Sequence, residues 1–396
     1  MKKIFIYLLA IFFIAGCEKD KPTGLYVSSK EYNEPPTISR IEPSDSTLAG
    51  IGEFTVFGSN MPENPDEVVV YANNMFAPVL SANSTSVTCK APNLVSDSVM
   101  IRVAARGALE FSNMLQYKLS TAIWEIGEFA ETNEKSVYAI ACDKDENVYI
   151  SIDSEKKIFK IQPNGETSIF AQVPKASGMK IGPDGYLYYV NLVPFLLRIP
   201  PEGGTMEAFA RMPGGVYDLD FDENGNVYCG GGGFAIYRAR PDKSTDTVAE
   251  YPDVFILSVR VYNGYVYISG KYNGENESHP KQGIWRNQIL DADGNLGENE
   301  LVFDWSSQFE SNLSSITFSE TGDMYIGTDA EEAIIILHED GSTEAMYHGL
   351  IFPETYDLVW GNGQYLYVSR RNELITKRAV VKINMLHAGA PYYGRI

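Results

Sequence analysis

Val216-Tyr217-Asp218-Leu219-Asp220-Phe221-Asp222-Glu223-Asn224-Gly225-Asn226-Val227-Tyr228 is the stretch that decides the fold. One strand-like run enters an Asn-Gly turn and a second leaves it, the strongest short-range hairpin signal. The closing Asn-Val-Tyr has five echoes: Asn147-Val148-Tyr149, Tyr186-Leu187-Tyr188, Tyr265-Val266-Tyr267, Asp323-Met324-Tyr325 and Tyr365-Leu366-Tyr367. The Tyr anchors are spaced by 39, 40, 39, 58 and 42 residues. A repeat of short strands with a period of roughly 40 is the signature of a β-propeller blade.

Each hairpin is followed by a third predicted strand, at residues 158–161, 196–199, 236–239, 284–287, 334–337 and 380–383. Fourth strands are predicted at 167–171, 205–210, 247–251, 300–305 and 343–347, one fewer than the hairpins. The missing piece lies at the front, in Ile123-Trp124-Glu125-Ile126-Gly127-Glu128-Phe129. A strand from that position would complete the last unit and leave no open sheet edge. The expected architecture over residues 121–385 is therefore a six-bladed β-propeller closed by an N-terminal strand. A tail, 386–396, follows it. The long interval has two sources, a polar insertion at 271–282 and an extended hairpin at 289–300. Loops on a rigid ring are where function tends to sit, the alternative being a tolerated surface insertion.

The 396 residues carry a net charge of −20 and a sequence pI near 4.7. That balance argues against nucleic acid as a partner, and against electrostatic docking on an anionic membrane. At the start, Lys2 and Lys3 precede an apolar run too short to span a bilayer, as in a secretory signal. The run ends Ile14-Ala15-Gly16-Cys17, which resembles the bacterial lipobox. That resemblance implies removal of a signal peptide, 1–16, and lipidation of Cys17, with residues 17–34 as a flexible tether. Glu18-Lys19-Asp20-Lys21 resembles loosely the export tags of Bacteroidota surface lipoproteins. The expected address is the cell envelope, at the outer membrane, with periplasmic and outward display both open, the membrane touched only through the lipid and the chain a monomer. The remaining cysteines, Cys89, Cys142 and Cys229, form no obligatory disulfide framework.

Residues 35–119 read as a small sandwich of alternating strands separated by Pro, Gly, Asn and Ser turns. Pro36-Thr37-Ile38-Ser39-Arg40-Ile41-Glu42-Pro43, a loop with Gly50 and Gly52, and Thr55-Val56-Phe57-Gly58-Ser59-Asn60 resemble an IPT/TIG immunoglobulin-like domain. The resemblance implies a spacer or contact module in which Pro43 and Gly58 serve the fold. The whole chain is thus expected to be all-β, an Ig-like β-sandwich followed by the propeller. The repeats themselves resemble NHL-type six-bladed propellers.

Counting back from each second-strand Tyr aligns the inner strands. One ring reads Ala139, Gly178, Asp218, Ser258, Ser315, Asp357, and the ring one residue earlier reads Tyr138, Ser177, Tyr217, Leu257, Ser314, Tyr356. Asp218 and Asp357 fall on opposite blades and are candidates to bind a divalent cation or a polyhydroxy ligand in the channel. The alternative is that they cap strand-end amides or hold channel water. Tyr138, Tyr217, Tyr356, Ser258 and Ser315 are the other candidate channel or ligand residues. No further cofactor is expected.

The segment 289–298 resembles a hairpin of the gluconolactonase/SMP-30 family, whose metal is held by Glu, Asn and Asp of inner strands. The corresponding positions here carry Tyr or Ser, so the resemblance implies fold without lactonase activity. Asp291, Asp293 and Asn295 lack EF-hand spacing, and the four His show no zinc motif. No Gly-x-Ser-x-Gly nucleophile elbow occurs. Gly230-Gly231-Gly232-Gly233 precedes no helix and marks an unusual turn or a close backbone approach. The third-strand cations Lys160, Arg198, Arg238, Arg286 and Lys382 are expected on a solvent-exposed face. Two functions compete. One is a binding module for a glycan, peptide or envelope protein at the propeller loop face. The other is a metal-dependent hydrolase or lyase of the lactonase-like propeller type, using Asp218 and Asp357.

Overall fold

A computed structural model of the chain describes residues 32–128, 137–371 and 378–393. Regular structure among these residues is almost entirely β-strand. Cys17 and the segment before it lie outside the described residues. No helix among the described residues is long and apolar enough to cross a membrane. The chain divides into two compact units, one of residues 1–47 with 52–119 and one of 48–51 with 120–396.

In the first unit a four-stranded sheet (Thr37–Glu42, Glu53–Ser59, Ser86–Lys90, Val79–Asn83) accompanies a second sheet built on Val68–Ala72, Ser96–Ala105 and Leu115–Ser120. Alternation sets the core. Phe54 and Val56 are buried while their neighbours Glu53 and Thr55 are not, and Val70, Val87, Val99, Ile101 and Leu119 are buried with them. Gly58 is required because a Cβ there would stand 1.7 Å from the Thr37 carbonyl oxygen on the paired strand. Cys89 is a buried free thiol, pushed up to about 12 by that burial.

The second unit holds six antiparallel four-stranded sheets in succession, as in a β-propeller. Their first strands are Val137–Cys142, Gly178–Ile181, Asp218–Phe221, Val254–Tyr262, Leu313–Phe318 and Thr355–Trp360. Each first strand neighbours the next, and that of the sixth sheet lies beside that of the first. Five sheets are four consecutive strands. The sixth takes its outer strand from Ile123–Glu128, which pairs antiparallel with Arg378–Asn384 from Ile123↔Ile383 onward. Packing between neighbouring sheets is apolar. Met179, Ile181, Leu187 and Tyr189 of the second sheet bury against Ala139, Ala141 and Tyr149 of the first.

The repeat of Tyr has a mechanical cause. The Tyr149 and Tyr188 hydroxyls donate to Asp143 and Asp184 of their own hairpins at 2.9 and 2.8 Å. Tyr228 shares its one proton between Asp222 Oδ2 and the Gly294 carbonyl, both 3.1 Å away. The Asp in turn accepts turn amides, as Asp222 does from Asn224 and Asn226 at 2.9 Å. Opposite these tyrosines in register stand the third-strand cations: Lys160 faces Tyr149, Arg198 faces Tyr188, Arg238 faces Tyr228, Arg286 faces Tyr267 and Lys382 faces Tyr367. The expectation of a solvent-exposed face therefore fails for Arg238, which is 1% exposed and pairs with Asp246 at 2.6 Å. Its guanidinium also donates to the Asp293 carbonyl and the Asn295 side chain, so the 289–300 hairpin roofs it over. The 271–282 insertion is shorter than expected, since strand pairing continues to Tyr272 and resumes at Gln282. Cys142 and Cys229 are buried.

Candidate functional site

Side chains on an antiparallel strand alternate, so residues two apart share a face. The first strands of the six sheets thus present layers of side chains to the space they surround. The layer predicted to carry the site is Ala139, Gly178, Asp218, Ser258, Ser315 and Asp357. Asp218 and Asp357 are 4% and 5% exposed. Asp218 Oδ2 accepts from the Val259 amide at 2.8 Å, and Asp357 Oδ2 from the Ile140 amide at 3.1 Å. Ser258 Oγ accepts from the Ile316 amide at 3.2 Å and donates to Asp218 at 3.1 Å. Each bond runs from one sheet to the next strand around the ring, so these side chains close amides that no sheet partner reaches. Ser315 is buried, and among the described residues its Oγ has no hydrogen-bond partner.

What joins the two aspartates is Arg260. One guanidinium nitrogen donates to Asp218 Oδ2 at 2.7 Å and the other to Asp357 Oδ1 at 3.2 Å. Burial opposes the charge on Arg260, but Asp218, Asp357 and Asp220 together raise its pKa above the ordinary arginine value. Burial likewise pushes Asp357 and Asp220 up from the usual carboxylate range, against the pull of Arg260 and Lys180. Lys180, 5% exposed, is pushed down by burial and by Arg260. The Asp220 carboxylate accepts from the Val261 and Phe221 amides, both at 2.9 Å.

Arg260, Lys180 and Asp220 form the layer two residues beyond the predicted one: Ala141, Lys180, Asp220, Arg260, Thr317 and Val359. The sequence reading stopped one layer short. The signal that would have found them is strand periodicity itself, since a step of two keeps the same face.

A divalent cation, for which Asp218 and Asp357 were candidate ligands, does not fit. The Arg260 guanidinium already bridges Asp218 and Asp357, and a second cation, Lys180, belongs to the same cluster. Among the described residues no group of three His, Cys, Asp or Glu side chains could hold a metal ion.

The two ends of this polar core differ. At the C-terminal ends of the first strands the tail closes over it: the Ala390 amide donates to the Phe318 carbonyl at 3.0 Å, and the Tyr392 hydroxyl to the Ile181 carbonyl at 2.6 Å. Under the tail lies a chamber of about 40 Å³ walled by Lys180, Asp220, Arg260 and Thr317. At the N-terminal ends sits an aromatic belt. Tyr217 and Tyr356, from the third and sixth sheets, join their hydroxyls at 2.6 Å across the mouth. Tyr138 packs edge-on against Tyr356 with ring centres 5.2 Å apart, and Phe255 against Tyr217 at 5.4 Å. Burial pushes the Tyr217 hydroxyl up to about 12, and burial with the neighbouring Tyr217 raises Tyr356 further. The Lys175 ammonium lies 3.6 Å from the centre of the Tyr138 ring, and the Arg371 guanidinium 4.9 Å from the same ring.

The fold is that of an all-β protein whose second unit is built like a β-propeller. Residues 36–119 match the family model of the IPT/TIG domain. Among solved structures the chain is similar to an auxiliary nutrient binding protein from Bacteroides thetaiotaomicron, at 12% identity and a TM-score of 0.51, covering 90% of this chain and 99% of that one. It is similar to an auxiliary nutrient binding protein from Bacteroides ovatus at 12% identity and a TM-score of 0.52, covering 88% and 98%. A gluconolactonase from Xanthomonas campestris aligns at 11% identity and a TM-score of 0.51, covering 66% and 89%. At these identities the likeness is one of fold. Among curated proteins none matches the sequence.

Proposed function

We propose that this protein is a lipoprotein of the cell envelope, anchored through Cys17, whose six sheets are the blades of one propeller. The propeller is a binding module for a glycan, peptide or partner protein, and the ligand docks at the mouth bordered by Tyr138, Tyr217 and Tyr356. The observation that carries this reading is Arg260. It neutralises the two aspartates that metal-dependent catalysis would have used, leaving the aromatic mouth as the surface with unspent recognition chemistry. The nutrient-binding description of two proteins of similar fold supports it, as does the lipobox-like Ile14-Ala15-Gly16-Cys17 for the anchor.

The test uses the full chain without its first 17 residues, screened on a glycan array and by pull-down from envelope extract, beside an assay for sugar-lactone turnover. Binding that Tyr138→Ala and Tyr217→Ala weaken, without lactone turnover, is the expected result. Turnover that depends on an added divalent cation, with no ligand retained, would overturn the reading. In cells, Cys17→Ser should release the protein from the membrane fraction.

A further inference from the structure

The glycine run 230–233 has a structural role that the polar core does not use. Gly231 lies against the backbone of Tyr217, where a Cβ would come 2.6 Å from its amide nitrogen. Gly233 and Gly214 both press on the Tyr237 hydroxyl, at 2.1 and 2.2 Å from an added Cβ. Gly232 differs from these. It is exposed, and the nearest atom to a Cβ there would be the Phe255 ring at 3.2 Å. The run therefore lays bare backbone beside Phe255, at the end of the aromatic belt, and a side chain at Gly232 would cover that ring.

From Phe255 the belt crosses the mouth through Tyr217 and Tyr356 to Tyr138, in steps of 5.4, 6.5 and 5.2 Å between ring centres. It ends at Lys175. Among the described residues Lys175 makes no ion pair, and its ammonium lies over the Tyr138 ring. In a chain with 52 acidic and 32 basic side chains, a mouth cation without a carboxylate partner is a point of complementarity for an acid. The belt is also poorly suited to an extended peptide. The inner-strand amides of Val259, Ile316 and Ile140 are taken by Asp218, Ser258 and Asp357 and offer a peptide no donors for strand addition. The rings meet edge-on or tilted, at 70°, 59° and 88° between successive planes, and such a turning row, with bare backbone at one end and a cation at the other, suits the successive rings of a sugar chain.

We infer that the mouth takes an acidic oligosaccharide, lying along the belt with a sugar face on Phe255 and a carboxylate at Lys175. This rests on the binding reading above and narrows it to one ligand chemistry.

The experiment is calorimetric titration of the chain lacking its first 17 residues with tetragalacturonate and with the neutral galactose tetramer. The acidic tetramer should bind the tighter, and its advantage should shrink as salt is raised. Phe255→Ala and Gly232→Val should each weaken it by about tenfold. Lys175→Met should abolish the preference for the acid while sparing the neutral tetramer. An unchanged melting temperature shows that each variant has folded, and Phe76→Ala, in the other unit, is the control. Equal affinity for the two tetramers overturns the acid assignment and leaves the binding reading standing. Binding of neither tetramer, or a preference unmoved by Lys175→Met, overturns the proposal. Capture of a peptide or protein instead would confine the failure to the ligand class.

Discussion

Arg260 takes the place between Asp218 and Asp357 that one of the two sequence readings offered to a cation. It holds two carboxylates from opposite sheets, and each of these also closes a backbone amide. Removing one member of such a buried set strands the rest in a medium that solvates them poorly. Arg260→Met should therefore destabilise the propeller by about 3–5 kcal/mol. Lys180 is the opposite case, because among the described residues its ammonium donates no hydrogen bond to the carboxylates around it, and burial disfavours its charge. Lys180→Met should be neutral or stabilising by about 1–4 kcal/mol. Urea titration of both variants tests the contrast, and equal losses would mean that the two cations share one role. This pair also marks the limit of sequence reading at this scale. Asp218 and Asp357 were visible because Tyr-Asp-Leu recurs around them at 217–219 and 356–358. Arg260 and Lys180 were not, because their layer mixes Ala, Lys, Asp, Arg, Thr and Val and shares no residue type to align on.

At the scale of the element, the Tyr anchor and hairpin Asp explain why the repeat was readable. In the first three sheets one hydroxyl fixes one turn, so the same Tyr and Asp recur there, whereas the fourth and sixth hairpins carry no such Asp and the Tyr367 hydroxyl donates to Glu146 instead. The fifth sheet departs from this pattern. Its Asp323 is bonded by His338 Nδ1 at 2.7 Å, while the Tyr325 hydroxyl turns to His387 of the tail at 3.1 Å. The bond to Asp323 raises the pKa of His338 above the ordinary histidine value. A raised folded value means that the contribution to stability is fully present below the unfolded pKa, near about 6.5, and is lost as pH rises through the folded value. The melting temperature should thus fall on going from about pH 6 to about pH 8, and His338→Gln should flatten that fall. An identical pH profile in the variant would remove His338 as its source. The elements that the sequence misjudged are those whose partners come from elsewhere in the chain. Third-strand Arg238 reads as a surface cation until the 289–300 hairpin is laid over it.

For the whole molecule, the tail was too short to interpret from its sequence, since its role depends on where the propeller delivers it. Residues 388–392 lie across one end of the polar core, with Gly389 so close to Trp360 that an added Cβ would be 2.1 Å from its ring. A chain stopped after Leu386 should therefore admit solvent to the chamber. Lys180 should then become reactive to an amine-acylating reagent, read by mass spectrometry, while in the intact chain it stays protected. Equal labelling in the two would show that the tail does not seal that end.

The sixth sheet joins Ile123–Glu128 to Arg378–Asn384, positions separated by most of the propeller sequence. A ribosome must therefore release almost the whole chain before the sheet can be completed, and contacts of such long range are slow to form. Until then the early strand waits with an unsatisfied edge and the other sheets stand as an open arc. For the exported lipoprotein proposed above this delay is useful, because a ring that cannot close during synthesis stays translocation-competent until the last strand has crossed.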